Sequence, residues 1–254
     1  MTESDPNEKV LSWITELDNR HLSDLTPAEA ARALRALSSC YVERRSRLAE
    51  GAALGTAGKR AAFALFYGPV HFLVTREVVR ALHPSPVTAI TDLGCGTGAA
   101  GAAWALEANA AIAGFDRHPW AVEEASWTYR TLGLRGRARK ADIAHAELAA
   151  KPGSAILAGY AVNELSDSTR GRLLPRLLEA ANLGGRVLIV EPIASRPIPW
   201  WKEWAKAFLQ VGGRADEWRF PVALPARQSQ LARAAGLQPR ELTARSLYLS
   251  RFSR

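Results

Sequence analysis

A glycine-rich loop is the strongest chemical signal in the chain. An apolar run ends and a run of small residues begins at Asp92, Leu93, Gly94, Cys95, Gly96, Thr97 and Gly98. Glycines at such a turn let the backbone bend sharply and let a ligand approach without an intervening side chain. The spacing is Gly-x-Gly-x-Gly, with an acid two residues before the first glycine, rather than the Gly-x-Gly-x-x-Gly that places a pyrophosphate on a helix start.

Two more acids follow the next two apolar runs. Asp116 closes the second run about 20 residues after the loop, where a doubly wound domain meets ribose hydroxyls. Asp142 follows the third, where a carboxylate can accept from an adenine amino group. Either acid alone also suits a helix cap or a turn. Their order at successive strand ends favours a nucleoside-containing ligand.

These residues resemble the successive cofactor motifs of class I S-adenosylmethionine-dependent methyltransferases. The resemblance covers roughly residues 87–254 and implies a seven-stranded sheet. It implies that the glycine loop packs against the amino-acid part of the cofactor, that Asp116 holds the ribose and that Asp142 lies by the adenine. The implied cofactor-binding residues are Asp92, Gly94, Gly96, Gly98, Asp116, Asp142 and Ile143.

Three further segments resemble methyltransferase-like proteins associated with small ribosomal subunits. They are residues 61–82, 160–165 and 190–192. This resemblance implies ribosomal RNA or the small subunit as substrate or partner. The chain departs from that family at residues 193–195, where Ile-Ala-Ser replaces Gly-Thr-Pro, and it lacks the cysteine-rich cluster of many members. With two cysteines and dispersed histidines, we expect no metal site.

The catalytic candidates follow the fourth apolar run, because the end of that strand faces the transferred methyl group in this fold. Methyl transfer from a sulfonium is an in-line displacement that needs a positioned nucleophile and, for some acceptors, a base. We expect Tyr160 or Asn163 to orient the acceptor and Glu164 to act as the base. Asn163 and Glu164 equally suit the start of the next helix.

Two clusters are candidates for substrate binding. The basic residues Arg44 and Arg45 lie ahead of the glycine loop, and an aromatic and basic run follows the fifth strand. Trp201 of that run is the candidate for stacking on a base. Helical spacing instead predicts a core position for its neighbours Trp200, Trp204 and Phe208.

These motifs require a doubly wound, Rossmann-like α/β sheet with an N-terminal helical extension. We predict a helical segment over residues 1–84 and an S-adenosylmethionine-binding domain over 85–254. The extension includes a capped helix from Thr26 and a long helix over 61–82 that Gly68 and Pro69 should interrupt or kink. Predicted strands cover 87–93, 111–115, 136–141, 154–160 and 186–190, with a terminal pair at 241–243 and 247–252. Predicted helices cover 98–108, 119–132, 168–182, 200–209 and 228–235.

Composition narrows the class of partner. The net charge is +8, yet residues 1–30 hold seven acids against Lys9 and Arg20, so the remaining chain carries +13. A basic body can hold RNA through phosphate contacts, although an arginine-rich composition also arises from ordinary solvated helix faces. No window is apolar enough to span a membrane. The acidic N-terminus lacks the pattern of a secretory signal, so we expect a cytoplasmic protein.

Together these features predict an S-adenosylmethionine-dependent methyltransferase acting on RNA, with small-subunit ribosomal RNA preferred. One alternative is a small-molecule methyltransferase whose helices and tryptophan segment close over an apolar acceptor. Another is a ribosome-assembly or RNA-binding factor that keeps the cofactor fold without transferring methyl groups. A dehydrogenase on the same fold is the least favoured.

Overall fold

The computed structural model describes residues 6–22, 26–43, 54–193, 198–221, 223–237 and 241–250. The chain forms two compact units, residues 1–71 with 221–242 and residues 72–220 with 243–254. The first unit thus includes a segment that the sequence assigned to the cofactor domain, and the boundary after residue 84 stays a prediction. The candidate residues Arg44 and Arg45 lie outside the described residues.

The first unit contains helices α1 (Pro6–His21), α2 (Pro27–Glu43), α3 (Ala57–Ala62) and the later α9 (Ala226–Ala234). The predicted cap of α2 is confirmed, because Glu29 N–H donates to Thr26 Oγ1 at 3.3 Å and Thr26 N–H donates to Glu29 Oε2 at 2.8 Å.

The predicted long helix over 61–82 changes its winding before Gly68 rather than breaking there. Residues Phe63–Tyr67 form a π-helical turn, and α4 (Gly68–Leu82) begins directly after it. Pro69 lies inside this continuous helical run and has no N–H to donate to the Leu65 carbonyl, four residues earlier. That carbonyl accepts instead from buried Gln228 Nε2 at 2.9 Å.

The second unit is built on a seven-stranded sheet, as predicted. Its strands are β1 (Ala89–Leu93), β2 (Ala111–Asp116), β3 (Gly136–Lys140), β4 (Ser154–Gly159), β5 (Arg186–Glu191), β6 (Arg214–Phe220) and β7 (Leu242–Leu249). The strand order is β3-β2-β1-β4-β5-β7-β6. Strands β1 to β5 are parallel and β7 runs antiparallel to β5. The carboxyl ends of the five parallel strands therefore share one edge.

The predicted terminal strand pair was wrong. β6 is Arg214–Phe220, and the two predicted end strands form the single strand β7. β6 was not predicted because most of its residues are exposed and charged, so it lacks an apolar pattern. β7 was predicted as two strands because Arg245 and Ser246 interrupt its apolar pattern in mid-strand, although both are buried in the structure.

The helices α5 (Ala99–Ala108), α6 (Pro119–Thr131), α7 (Asp167–Asn182) and α8 (Pro199–Gln210) accompany the sheet in this unit. The apolar faces of β4 and β5 pack with α7 and α8 in one buried cluster, which includes Trp200, Trp204 and Phe208. The predicted core position of these three aromatic residues is confirmed. The connection from β3 to β4, residues 141–153, contains turns and no helix. None of the described helices is long and apolar enough to cross a membrane.

Candidate cofactor and catalytic site

The glycine loop is a tight turn fixed to the end of β2. Gly94, Gly96 and Gly98 have φ values of 67°, 52° and 76°, which side chains rarely adopt. The N–H groups of Gly94 and Cys95 donate to Phe115 O at 2.8 and 3.0 Å. A Cβ on Gly94 would lie 2.6 Å from Ala161 Cβ, so this glycine also permits close contact with the segment after β4.

Asp92 lies beneath the loop rather than in it. Its side chain is buried, Oδ2 accepts from Tyr129 Oη at 3.4 Å, and a Cβ on Gly101 would lie 2.3 Å from Oδ2. Burial, and then the nearby Asp116, raise the pKa of Asp92 to about 7. Oδ1 has no hydrogen-bond partner in the described residues. Asp92 therefore supports the loop from below with a carboxyl group that is easily protonated.

Asp116 connects the loop to the end of β2. Its Oδ2 accepts from Gly96 N–H at 3.0 Å, and its Oδ1 accepts from His118 N–H at 2.8 Å. The side chain is half-buried, and each carboxylate oxygen keeps lone-pair capacity beyond these bonds. An anionic acceptor is thus held at the edge of the loop.

The third predicted acid lies on an exposed turn after β3. Asp142 is exposed, and its Oδ1 accepts from Ala144 N–H at 2.8 Å. Ile143 is buried, and its Cδ1 lies 3.8 Å from the position that a Cβ on Gly94 would take. The structure therefore brings Ile143 to the glycine loop and leaves the Asp142 carboxylate facing solvent.

Tyr160 ends β4 in a strained conformation. Its φ is 61°, unusual for an aromatic residue, and its N–H donates to Val190 O at 2.7 Å. Burial and the charge of Glu191 raise the pKa of its hydroxyl above the ordinary value. Backbone strain of this kind concentrates at functional sites.

The Asn163 side chain is held by a buried carboxylate and an indole. Its Nδ2 donates to Glu191 Oε2 at 2.5 Å, its backbone N–H donates to Oε1 at 3.1 Å, and its Oδ1 accepts from Trp200 Nε1 at 3.1 Å. These bonds fix the short 3-10 turn Val162–Glu164 that follows Tyr160. Because the amide is so engaged, its geometry suits positioning of this turn better than contact with an acceptor.

Glu164 lies in a group of mutually repelling carboxyl groups. Burial, and then the charges of Glu191 and Asp116, raise its pKa to about 8 against the opposing effect of Arg117. Glu191 is fully buried, and desolvation raises its pKa to about 7 against bonds from Asn163 and the charge of Arg245. The edge above β2, β4 and β5 thus gathers carboxyl groups that burial and mutual repulsion make easier to protonate.

Trp201 is half-buried, and a cation covers its ring. The Arg245 guanidinium lies 4.0 Å from the ring centroid, and Trp200 meets the ring edge to face at 5.6 Å. Arg245 is buried and pairs in register with Glu191 across β5 and β7. One face of Trp201 is therefore already occupied by a cation–π contact.

Sequence reasoning missed Glu191 and Arg245 as parts of this site. Glu191 closes an apolar strand just as Asp92 and Asp116 do, so its position was a usable signal. Arg245 had no local signal, because its partners lie more than forty residues earlier in the chain. Glu191 meets it through the antiparallel β5–β7 pairing, and Trp201 meets it from α8.

Comparisons with known proteins agree with this geometry. Residues 90–185 match the family model described as a methyltransferase domain. A Listeria monocytogenes protein described as a class I S-adenosylmethionine-dependent methyltransferase aligns over 98% of this chain and 90% of its own, with 13% identity and a TM-score of 0.50.

Two other solved structures are similar to the chain. The plantazolicin methyltransferase BpumL, in complex with S-adenosylhomocysteine, aligns over 95% of this chain and 99% of its own, with 16% identity and a TM-score of 0.46. A Pyrococcus horikoshii protein described as an RNA methyltransferase aligns over 70% of this chain and 83% of its own, with 14% identity and a TM-score of 0.47. No curated protein sequence matches the chain.

The sheet order, glycine loop and strand-end acids define the second unit as a class I methyltransferase fold. With the match of residues 90–185 to the methyltransferase-domain model, the chain contains an S-adenosylmethionine-dependent methyltransferase domain, and S-adenosylmethionine is its cofactor. The donor set fits that group, because its sulfonium and ammonium charges would relieve the repulsion among Asp116, Glu164 and Glu191. Among the described residues, no group of three or more His, Cys, Asp or Glu side chains could hold a metal ion.

Proposed function

We propose that the enzyme methylates RNA, with small-subunit ribosomal RNA as the first candidate. The observation that carries the proposal is the separation of charge within the chain. The residues after position 30 sum to +13, whereas the strand-end edge gathers carboxyl groups. A basic surface suits a polyanionic substrate, and an acidic pocket suits a cationic cofactor. The resemblance of residues 61–82, 160–165 and 190–192 to ribosome-associated methyltransferase-like proteins adds the ribosomal preference.

The cofactor would be held by the loop and strand-end residues. Gly94, Gly96 and Gly98 leave space along the loop, and Asp116 offers an anionic acceptor for ribose hydroxyls. The solvent-facing carboxylate of Asp142 suits an adenine amino group, and Ile143 suits the apolar base. Asp92 supports the loop from below. When bound, the cofactor supplies an electrophilic methyl group on a sulfonium.

The catalytic roles fall on the residues that follow β4. Glu164 is the candidate base, and its raised pKa of about 8 keeps it protonated in the free site at neutral pH. A nearby positive charge favours its carboxylate, so the base would become available when a cation occupies the site. Tyr160 is the candidate for orienting the acceptor, and Asn163 would fix the turn that carries Glu164.

The substrate is tested by following labelled methyl groups. Purified protein is incubated with methyl-labelled S-adenosylmethionine and either small-subunit ribosomal RNA or a small-molecule extract, with Glu164→Gln as the catalytic variant. The proposal is supported if labelled methyl groups appear in the RNA and ribonuclease releases that label. Glu164→Gln should incorporate the label at least about tenfold more slowly. Label confined to the extract contradicts it in favour of a small-molecule enzyme. RNA binding without transfer to RNA contradicts it in favour of an assembly factor. The predicted cytoplasmic location stays a prediction.

A further inference from the structure

The outermost strand of the sheet carries a run of cations with no acid among them. The seventeen residues from 125 to 141 contain five cations and no Asp or Glu. Four of the cations lie on β3 or next to it and are exposed, namely Arg135, Arg137, Arg139 and Lys140. We call these four residues the β3 cationic edge.

The pleat of β3 directs two of the arginines away from α6. Ala138 is buried, and its strand contacts α6, so the alternate residues Arg137 and Arg139 point to the opposite face. The helix-free connection from β3 to β4 places no helix of its own over that face. Residues two apart on a strand are about 6.6 Å apart. The two guanidinium groups therefore form an exposed row along one edge.

The charges of the β3 cationic edge are available to a partner. In the described part of the chain, Arg137, Arg139 and Lys140 form no ion pair, and Arg135 donates to the backbone at Asn109 O at 3.2 Å. Exposed arginines present forked donors that match phosphate oxygens in pairs. An unneutralised row of this kind favours a polyanion over a neutral ligand.

Strand addition and protection against aggregation each account for the β3 cationic edge less well. Addition of a partner strand is disfavoured because the mid-strand N–H of Ala138 already donates to Ser126 Oγ at 3.1 Å. Protection of an edge against aggregation needs charge of either sign, whereas this segment excludes acids over seventeen residues. A field of one sign is the property that recruits an opposite charge.

We propose that the β3 cationic edge binds the phosphate backbone of the RNA substrate, an inference that rests on the proposed function. Lys140 pairs in register with Asp116, so the edge ends beside the residue assigned to the cofactor ribose. An RNA backbone on β3 would therefore pass the nucleoside end of the cofactor site. The remaining path of the RNA would lead from there to the segment after β4.

The test compares two triple variants of the full chain with equal loss of charge. The first is Arg137→Gln, Arg139→Gln, Lys140→Gln. The second is the control Lys151→Gln, Arg172→Gln, Arg233→Gln, which removes exposed cations of the β3–β4 connection, α7 and α9. Binding of single-stranded RNA and of small-subunit ribosomal RNA is measured by fluorescence anisotropy over a salt series. Calorimetric binding of S-adenosylmethionine verifies that each variant keeps its cofactor site.

We expect the β3 variant to lose about tenfold or more in RNA affinity, and its salt slope to fall by about 2, since each phosphate contact on single strands contributes about 0.7. The control should bind as the wild type does. If the wild type binds RNA and the β3 variant binds it equally well, this inference is overturned and the proposed function stands. If the wild type binds S-adenosylmethionine but no RNA, the proposed function itself fails. Poly-glutamate is titrated in the same way as an acidic protein-like ligand. If the β3 variant loses binding to poly-glutamate but keeps its binding to RNA, the inference is overturned in favour of an acidic protein partner.

Discussion

Cofactor binding should release a proton from Glu164, and the release is the most specific consequence of the acidic site. In the free protein its pKa is about 8, raised first by burial and then by Glu191 and Asp116. At neutral pH the side chain is therefore mostly protonated. A bound cation favours the carboxylate, so binding lowers this pKa towards its ordinary range.

The size of the effect follows from linkage. If the pKa falls from about 8 to about 4.3, affinity rises about fiftyfold between about pH 6 and pH 8, with release of about 0.9 proton at about pH 7. Other groups titrate in this range, so the quantity that counts is the difference between wild type and Glu164→Gln.

The assay is calorimetry of S-adenosylmethionine binding across this pH range, in buffers of different ionisation enthalpy. Glu164→Gln should bind with a flatter pH profile and release fewer protons. The matched control Glu179→Gln changes an exposed glutamate of α7 and should behave as the wild type does. Equal proton release by wild type and Glu164→Gln would refute the reasoning.

Three other perturbations test the architecture of the site. Gly98→Ala should destabilise the protein by at least about 2 kcal/mol more than Gly133→Ala. Both glycines have positive φ, but only a Cβ at Gly98 would meet another atom, at 2.7 Å. Equal losses of unfolding free energy in urea would contradict this prediction. Asn163→Leu should lower the free energy of unfolding by about 3 kcal/mol, because Glu191 and the Trp200 indole lose this hydrogen-bond partner. An unchanged urea midpoint would count against the buried network. The pKa of Glu191 is raised to about 7 in the folded protein, so its protonated form favours folding. The stability that this raised pKa contributes is fully present below the ordinary carboxyl pKa and is lost as pH rises through about 7. Glu191→Gln should reduce this loss of stability with pH, and a pH profile of stability identical to that of the wild type would contradict the prediction.

The sequence predicted the elements whose signals are local. β1 with its glycine loop, the cap at Thr26 and the buried face of α8 follow from short patterns of residue type and spacing. The doubly wound sheet with its parallel strands followed from the alternation of short apolar runs with helices.

Features that depend on distant partners were not predicted. β6 was not predicted because its side chains are charged and half-exposed. β7 was predicted as two strands because Arg245 and Ser246 interrupt its apolar pattern. Ser246 Oγ accepts from Trp218 Nε1 at 2.8 Å, a partner that only the folded sheet supplies. The engagement of Asn163 by Glu191 likewise depends on contact between the ends of β4 and β5. Local reading therefore identified Asn163 as a residue of interest but assigned it to the acceptor.

Binding of S-adenosylmethionine at the edge above β1, β2 and β4 is the prediction on which the other proposed roles depend. Its most direct test is calorimetric titration of the cofactor and of S-adenosylhomocysteine into wild type, Asp116→Ala and the surface control Glu179→Gln, with folding of each verified by circular dichroism. We predict micromolar binding by wild type and control, and a loss of at least about tenfold in Asp116→Ala, since a hydrogen bond to a charged group contributes about 1.5–3 kcal/mol. Absence of binding by the folded wild type, or undiminished binding by Asp116→Ala, would contradict the account.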